Sequence, residues 1–249
     1  IHFWHHLIQA TPWPQGAMTL PQYQAHRGYH SAENQENTID AFRAAREKGA
    51  TMCECDVRLS KDGIPIVFHD VDLLRIKQRP EKVYELTANE IKELANAPRL
   101  EEILTDTQTP SLWNIEIKSP FINDSFFSAV IDVIKKVKAQ NRVIISSFNP
   151  FAIYKISQLA PLIPRALLVS PEKNSDNLFF LRHMLLVPFL KIHMLNLDKS
   201  MICPETIQFW NKKKIPLAVW TLTDPNEAKH YLQHGVKSII ADPQIFDSF

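Results

Sequence analysis

The residues best suited to chemistry fall in two segments near the start of the chain. His26, Arg27 and Gly28 are consecutive, and Glu54 and Asp56 are separated by a single residue. Side chains at positions i and i+2 of a β-strand point to the same side, so these two carboxylates are predicted to project together. Converging carboxylates repel each other unless a cation lies between them or one takes a proton. The spacing therefore predicts a cation site, and oxygen ligands favour Mg²⁺ or Ca²⁺.

A later strand-like segment adds a third candidate metal ligand. Glu116 and Lys118 share one face of this segment with Asn114 by the same two-residue period. A lysine beside a metal is placed to hold a phosphate oxygen as a point charge. Arg27 adds a planar, permanently charged fork that matches phosphate oxygens. These residues together favour a site for a phosphate ester.

Two histidines are candidates for proton transfer. His26 and His69 each end a short apolar run and precede polar or turn-forming residues. Histidine titrates close to neutral pH, so its side chain can give and take protons there. Cleavage of a phosphodiester needs one group that removes a proton from the attacking oxygen and another that protonates the departing alkoxide. We therefore predict that the two histidines exchange acid and base roles, in an order that the sequence leaves open.

The order of the motifs is more specific than any one of them, since a lone Glu-x-Asp strand or His-Arg-Gly loop is usually structural. The ordered set resembles the glycerophosphodiester phosphodiesterase family, over roughly residues 23 to 243. The motifs that carry this resemblance are His26-Arg27-Gly28, Glu36-Asn37-Thr38, Ala41-Phe42, Glu54-Cys55-Asp56, Lys61-Asp62-Gly63, His69-Asp70, Glu116-Ile117-Lys118, Ser146-Ser147-Phe148-Asn149-Pro150, Val219-Trp220-Thr221, Gly235-Val236 and Ala241-Asp242-Pro243.

The resemblance implies a reaction and a substrate. A glycerophosphodiester would be hydrolysed to an alcohol and glycerol 3-phosphate, through attack of the glycerol 2-hydroxyl and a cyclic phosphate. Trp220 and Phe148 would pack against the glycerol carbons. Two alternatives stay open: an enzyme of the lysophospholipase D type that acts on lysophospholipids, and a non-catalytic barrel that binds phosphodiesters. Against the second, no member of the proposed residue set is missing.

Strand-like and helical patterns alternate along the chain, which favours a parallel sheet. Eight such strands and a length of 249 residues predict an α/β fold, a closed (β/α)₈ TIM barrel. An open doubly wound sheet is the runner-up, but no Gly-x-Gly-x-x-Gly follows the first strand. The predicted strands are 23–26, 51–57, 112–117, 143–146, 166–169, 194–197, 217–222 and 238–241, and the clearest helices are 38–48, 123–138, 150–159, 205–213 and 226–234.

A ninth strand-like run, 64–68, follows a turn at Lys61-Asp62-Gly63 and is predicted to be the return arm of a hairpin that delivers His69 to the barrel rim. Residues 71–105 then form a short excursion, which includes a helix with a capping box at Thr87 and Glu90. This predicts a shallow, open mouth. The domain prediction is a leader of uncertain structure, 1–22, and a single catalytic barrel, 23–249.

Composition limits the kinds of partner and of stabilisation that the chain can have. With a net charge of +1, the chain has no general attraction for nucleic acid. Three cysteines cannot build a disulfide framework, so Cys53 and Cys55 are predicted to be packing residues. We expect a cytoplasmic enzyme, with a periplasmic or membrane-associated one as the alternatives, and the oligomeric state is left open.

The most apolar stretch of the chain is 178–197, and charged residues and a proline interrupt it too often for a membrane span. It is predicted to be a core-facing barrel helix followed by a strand. The alternative is a surface on which Phe179, Phe180 and Phe189 make transient contact with lipid.

Overall fold

A computed structural model describes residues 7–119, 123–173 and 179–248 of the chain. Eight parallel strands form a closed barrel, because β1 pairs with both β2 and β9, while β3 lies outside it. The TIM barrel is therefore confirmed, and each predicted strand is present within one or two residues. The strands are β1 (Tyr23–His26), β2 (Met52–Leu59), β3 (Pro65–Val67), β4 (Leu112–Ile117), β5 (Val143–Ser147), β6 (Arg165–Val169), β7 (Met194–Asp198), β8 (Leu217–Leu222) and β9 (Ser238–Ala241).

Helices between the strands form the outer layer, and the main core lies between them and the barrel wall. Phe42 and Trp113 meet edge to face in this layer, with ring centroids 4.9 Å apart. Pro204 and Pro225 each occupy the first turn of a helix. A proline lacks an N–H, and at this position that N–H would have no intrahelical partner. The helices are α1 (Ile39–Glu47), α2 (Leu74–Lys77), α3 (Ala88–Ala95), α4 (Leu100–Thr105), α5 (Asp124–Lys136), α6 (Pro150–Leu159), α7 (Phe179–Arg182), α8 (Pro204–Lys212), α9 (Pro225–Gln233) and α10 (Pro243–Phe246).

The barrel is filled and closed toward the amino ends of its strands. Inside it, the Asn114 side chain donates to Gln24 and the Gln24 side chain donates to Ser238, both at 2.9 Å. Beneath this polar layer, Met18 and Trp13 of the N-terminal segment pack on an apolar cluster from the strands. The open end of the barrel is therefore the carboxyl end of the strands. Residues 1–6 of the predicted leader lie outside the described residues.

The hairpin after β2 is confirmed. The β3 strand runs antiparallel to β2, with Val57 opposite Val67 and Leu59 opposite Pro65, and this pairing extends β2 two residues beyond its predicted end. The excursion that follows has an apolar core of its own beneath α2 and α3. Its helix α3 begins with the predicted capping box, in which Glu90 accepts from the Thr87 N–H at 2.8 Å.

The prediction for the apolar stretch 178–197 is wrong in its first half. Instead of a barrel helix, the chain forms the single turn α7, a 3₁₀ turn at Val187–Phe189 and then β7. Phe179 is 57% exposed and Phe189 is 70% exposed, so neither belongs to the core. Proline 188 lacks the N–H that a continuing helix would need. No helix in the described part of the chain is both long and apolar enough to cross a membrane.

Candidate active site

Three carboxylates meet at the carboxyl ends of β2 and β4. The parallel register sets Asp56 beside Glu116, and the two-residue period puts Glu54 on the same side as Asp56. Ligand oxygens of the three side chains lie within 4.8 Å of one another. The intervening Cys53 and Cys55 belong to the core between barrel and helices, as predicted. One strand therefore supplies both a packing face and two charged groups.

The electrostatics of this acidic cluster fit a cation. Burial raises the pKa of Glu54 well above its usual range, and the nearby charges of Asp56 and Glu116 raise it further. Burial also raises the pKa of Glu116. A cation bound by all three carboxylates would relieve this repulsion, and an oxygen-only donor set suits Mg²⁺ or Ca²⁺. The residues present therefore fit a divalent ion.

Two permanent cations border the acidic cluster. Lys118 Nζ lies 2.8 Å from Glu116 Oε1 and 3.2 Å from Asp56 Oδ1. On the other side, Arg27 Nε lies 3.1 Å from Asp56 Oδ2, and its Nη1 donates to Glu36 at 2.9 Å. Burial raises the pKa of Asp56, but Lys118 and Arg27 outweigh it and hold that pKa below its usual range. Their predicted contacts with phosphate oxygens stay a prediction.

His26 lies at the end of β1, and its ring is oriented from the end of β9. Its Nδ1 is 2.7 Å from Asp242 Oδ1, an arrangement that leaves Nε2 available. His30 Nε2 lies 3.9 Å from the same oxygen. Burial lowers the pKa of His26, and the bond to Asp242 opposes this. The adjacent Gly28 has φ +83°, and a Cβ there would lie 2.7 Å from a backbone carbon of α1, so the loop needs glycine.

His69 reaches the barrel mouth from the end of the hairpin, and its ring is bonded to the side chain of the next residue, Asp70. Its Nδ1 lies 2.7 Å from Asp70 Oδ1, and Arg75 Nε lies 2.7 Å from the other Asp70 oxygen. Arg58 of β2 donates to the His69 carbonyl at 2.8 Å and so ties the hairpin end to the barrel. Burial lowers the pKa of His69, while Asp56 and Asp70 oppose this.

An aromatic pair lines another part of the mouth. Phe148, which follows β5, meets Trp220 of β8 edge to face at a centroid distance of 5.4 Å. The Trp220 indole donates to the Asn196 carbonyl at 3.0 Å, which fixes the ring. Lys118 Nζ lies 5.8 Å from the centre of the Phe148 ring. The mouth thus presents aromatic side chains beside the charged cluster.

The sequence profile of the Glycerophosphoryl diester phosphodiesterase family matches residues 26–244. The chain belongs to this family. Its members are phosphoric diester hydrolases, so the predicted enzyme class and the suspected family are confirmed. The match starts at His26, the last residue of β1, and ends just past Asp242. It therefore includes the other seven barrel strands in full.

Among curated relatives, a glycerophosphodiester phosphodiesterase of Caldanaerobacter subterraneus is 32% identical over 232 residues, which cover 88% of this chain and 92% of the relative. The human glycerophosphodiester phosphodiesterase 1 is 26% identical over 259 residues, which cover 90% of this chain and 78% of the human protein. The similarity therefore extends over most of this chain and most of each relative.

Solved structures agree with the fold. An Oleispira antarctica phosphodiesterase, solved in complex with the product sn-glycerol-3-phosphate, superposes with a TM-score of 0.78 at 27% identity, covering 92% of this chain and 96% of that one. The glycerophosphodiester phosphodiesterase of Thermotoga maritima gives 0.72 at 28% identity, with 93% and 98% covered. The chain and both solved structures thus share the same barrel fold.

All nine predicted site residues lie at the carboxyl end of the barrel. Sequence reasoning placed the groups that hold them in motifs but assigned those groups no role. Asp242 and Asp70 orient the two histidines, and Glu36 joins Arg27 to Arg75. The buried Asn37 side chain donates to Asp56 at 2.9 Å. Adjacency to His69 could have pointed to Asp70, whereas no local signal links Asp242 to its histidine.

Proposed function

We propose that this chain hydrolyses glycerophosphodiesters to an alcohol and glycerol 3-phosphate, and that Glu54, Asp56 and Glu116 hold the Mg²⁺ or Ca²⁺ ion it needs. The observation that carries the proposal is the buried acidic cluster flanked by two histidines, each bonded to an aspartate. Phosphodiester cleavage requires charge stabilisation at phosphorus and two proton transfers, and these groups can supply both.

The ion, when bound, would stabilise the negative charge that grows on the phosphate oxygens. Arg27 and Lys118 would hold those oxygens from either side of the acidic cluster, in exchange for part of their present contacts with carboxylates. Trp220 and Phe148 would pack against the glycerol carbons. The alcohol group of the substrate would then leave toward the open rim.

The proposed chemistry has two stages, and the histidines exchange roles between them. One histidine removes the proton of the glycerol 2-hydroxyl, whose oxygen bonds to phosphorus, while the other protonates the alcohol oxygen as its bond to phosphorus breaks. The product of this stage is a five-membered cyclic phosphate. Water, deprotonated by the second histidine, then adds to phosphorus, and the first histidine returns a proton to the 2-oxygen as the ring opens to glycerol 3-phosphate.

The first prediction tests the ion and the reaction together. Exhaustive EDTA treatment should abolish release of glycerol 3-phosphate from glycerophosphocholine, glycerophosphoethanolamine and glycerophosphoglycerol, and added Mg²⁺ or Ca²⁺ should restore it. Enzymatic assay of glycerol 3-phosphate measures the product, and ³¹P NMR detects the cyclic phosphate.

A pair of charge-removing variants localises the ion. Glu54→Gln keeps the side-chain shape but removes one ligand charge, so restoration should need a far higher metal concentration. Glu47→Gln, on the exposed end of α1, makes the same chemical change and should restore like the wild type. Full activity after chelation would refute the metal assignment. A folded, metal-loaded protein that hydrolyses no glycerophosphodiester would refute the function and favour the non-catalytic barrel.

A further inference from the structure

A second group of metal-binding side chains, the histidine cluster of His26, His30 and Asp242, lies at the carboxyl ends of β1 and β9. Each of the three offers one ligand atom, and these atoms lie within 4.8 Å of one another. The group forms because β1 pairs with β9, which sets the loop after His26 against the residue that follows β9. Its donors are two imidazole nitrogens and a carboxylate oxygen, whereas the acidic cluster offers oxygens alone. The two clusters therefore suit different ions.

His30 has a ring nitrogen that the fold leaves unsatisfied. Its Nε2 is buried and finds no hydrogen-bond partner among the residues that the structure describes. Asp242 Oδ1, at 3.9 Å, is too far away for a hydrogen bond. A buried polar atom without a partner is unfavourable, and a ligand that binds it removes that disadvantage. The unsatisfied nitrogen of His30 thus itself points to a ligand.

The loop that carries His30 is held in place by its neighbours. The Tyr29 N–H donates to the Ala41 carbonyl of α1 at 2.8 Å, and the Asn34 side chain donates to the Tyr29 carbonyl at 2.7 Å. These bonds position His30 without a hydrogen bond from its own ring nitrogen Nε2. The side chains of His30 and Asp242 are 26% and 25% exposed, so an ion can enter the cluster from solvent.

The separations within the histidine cluster suit a tetrahedral Zn²⁺ ion. Zinc binds imidazole nitrogens and carboxylate oxygens at about 2.0–2.2 Å, so two of its tetrahedral ligand atoms lie roughly 3.3–3.6 Å apart. Asp242 Oδ1 lies 2.7 Å from His26 Nδ1 and 3.9 Å from His30 Nε2, on either side of that range. Small side-chain rotations would therefore bring all three donors onto one ion. Imidazole donors favour zinc over Mg²⁺ and Ca²⁺.

We propose that His26 Nδ1, His30 Nε2 and Asp242 bind Zn²⁺, and that this ion inhibits the enzyme by occupying a ring nitrogen of His26. The inhibition rests on the proposed function, whereas the binding does not. The bond to Asp242 keeps the ring proton on Nδ1 and leaves Nε2 free to take a proton. Zinc on Nδ1 moves that ring proton to Nε2. His26 can then neither accept a proton there nor release one without forming an imidazolate.

The second prediction concerns zinc binding and needs no turnover. Competition with a chromophoric zinc indicator measures the affinity of the Mg²⁺-saturated protein for its tightest-bound Zn²⁺. His30→Ala should weaken this affinity at least about tenfold, because even residues that only orient a metal ligand contribute about 10–100-fold. If His30→Ala does not fold, His30→Gln keeps a polar side chain there and should show a similar loss.

His234→Ala is the matched control for zinc binding. His234 and His230 form an exposed pair at the end of α9, with ring centroids 4.2 Å apart. A zinc ion bound by that pair would be lost in His234→Ala, whereas an ion in the histidine cluster should bind as tightly as in the wild type.

Nitrogen-15 spectra of the histidine rings test the same ion in the wild-type protein. Zn²⁺ should convert the His26 ring from the tautomer with its proton on Nδ1 to the one with its proton on Nε2. The His26 signals are assigned by their loss in His26→Ala. This change follows from zinc on Nδ1 and would not follow from zinc bound elsewhere.

Inhibition is measured on glycerophosphocholine at saturating Mg²⁺, with each variant compared with its own zinc-free rate. The Zn²⁺ concentration that halves the rate should rise in His30→Ala by the same factor as the dissociation constant. It should stay the same in His234→Ala and when the Mg²⁺ concentration is raised further. Zinc that displaced Mg²⁺ from the acidic cluster would instead be relieved by added Mg²⁺.

Four results would overturn the proposed zinc site. They are equal zinc affinities of the wild type and His30→Ala, a loss of affinity in His234→Ala, inhibition that added Mg²⁺ relieves, and bound zinc that leaves the His26 tautomer unchanged. In each case metal-dependent hydrolysis of glycerophosphocholine would still stand. If no glycerophosphodiester were hydrolysed, the zinc affinities and the ring tautomer would still decide the zinc site, so the two failures are distinguishable.

Discussion

The two histidines have the same local chemistry but very different supports. His26 comes from a barrel strand and is oriented by Asp242, which follows the neighbouring strand β9, so closure of the barrel fixes the pair. His69 comes from a hairpin outside the barrel, next to its partner Asp70, and that aspartate is held by the half-exposed Arg75. The first support is made of strand pairing, and the second is made of ion pairs.

This difference affects how firmly each proton carrier is held. Pairing between central parallel strands is shielded from water, whereas an ion pair with a 49% exposed arginine is screened by salt and contributes little on its own. The hairpin side has a second tie, from Arg58 to the His69 carbonyl. We therefore expect the His26 side to behave as a rigid part of the fold, and the His69 side to respond to salt and to changes in the excursion.

The largest expected effect comes from removing either histidine. The expected loss of kcat is the same for both, although their supports differ. His26→Ala and His69→Ala should each lower kcat by about 10²–10⁴-fold, because each is proposed to transfer a proton in both stages. Turnover of glycerophosphocholine measures the effect, and thermal unfolding checks the fold. His234→Ala, at the exposed end of α9, is the control and should keep wild-type turnover. Near-normal turnover of His69→Ala would remove the hairpin from the site.

A smaller effect comes from the aspartates, and it separates the two sides. Asp242→Asn and Asp70→Asn should each lower kcat at least about tenfold, because an amide can donate to Nδ1 and stabilise the wrong tautomer. The loss should be greater for Asp242→Asn, because the His26 side chain is only 19% exposed against 30% for His69, and a misplaced ring proton costs more where water is scarce.

The pH dependence of these two variants assigns the acid and the base. Each aspartate raises the pKa of its histidine against the effect of burial, so each Asn variant should lower that pKa. In the kcat/KM profile, the acidic limb then moves to lower pH if the histidine is the base of the first stage. The basic limb moves instead if it is the acid. If both variants moved the same limb, the division of roles would be wrong.

Much of this arrangement could be predicted from the sequence, because it depends on short-range rules. The two-residue period of β2 was enough to separate Glu54 and Asp56 from Cys53 and Cys55, and the turn at Lys61-Asp62-Gly63 was enough to bring His69 back to the rim. Local periodicity and turn chemistry act within a few residues, so a single sequence reveals them.

Contacts between distant parts of the chain could not be predicted in this way. Asp242 lies 216 positions from His26, and only closure of the barrel brings the two together. The prediction for 178–197 was wrong for another reason. The hydrophobicity of this stretch predicts burial, but hydrophobicity alone does not distinguish a core helix from short turns that leave Phe179 and Phe189 exposed. Tertiary packing decides both cases.

The smallest expected effect is also the sharpest test of the ion-pair support. Arg75→Gln removes the positive charge that binds Asp70 and Glu36, and should lower kcat only about threefold, since exposed ion pairs are weak. Arg79→Gln is the control, because Arg79 lies on the same excursion, is 46% exposed and pairs with Glu81 away from the site. Both variants should melt close to the wild type.

The sign of the pH effect distinguishes positioning from general loosening of the excursion. Without Arg75 the Asp70 carboxylate is less neutralised, so the pKa of His69 should rise, and its limb in the kcat/KM profile should move to higher pH. This is opposite to the shift expected for Asp70→Asn, and a merely loosened hairpin would not produce it. Added salt should weaken the Arg75 contact and shift the wild-type limb toward that of Arg75→Gln, while the limb that belongs to His26 should shift less. Equal salt shifts of both limbs would contradict the difference between the two supports.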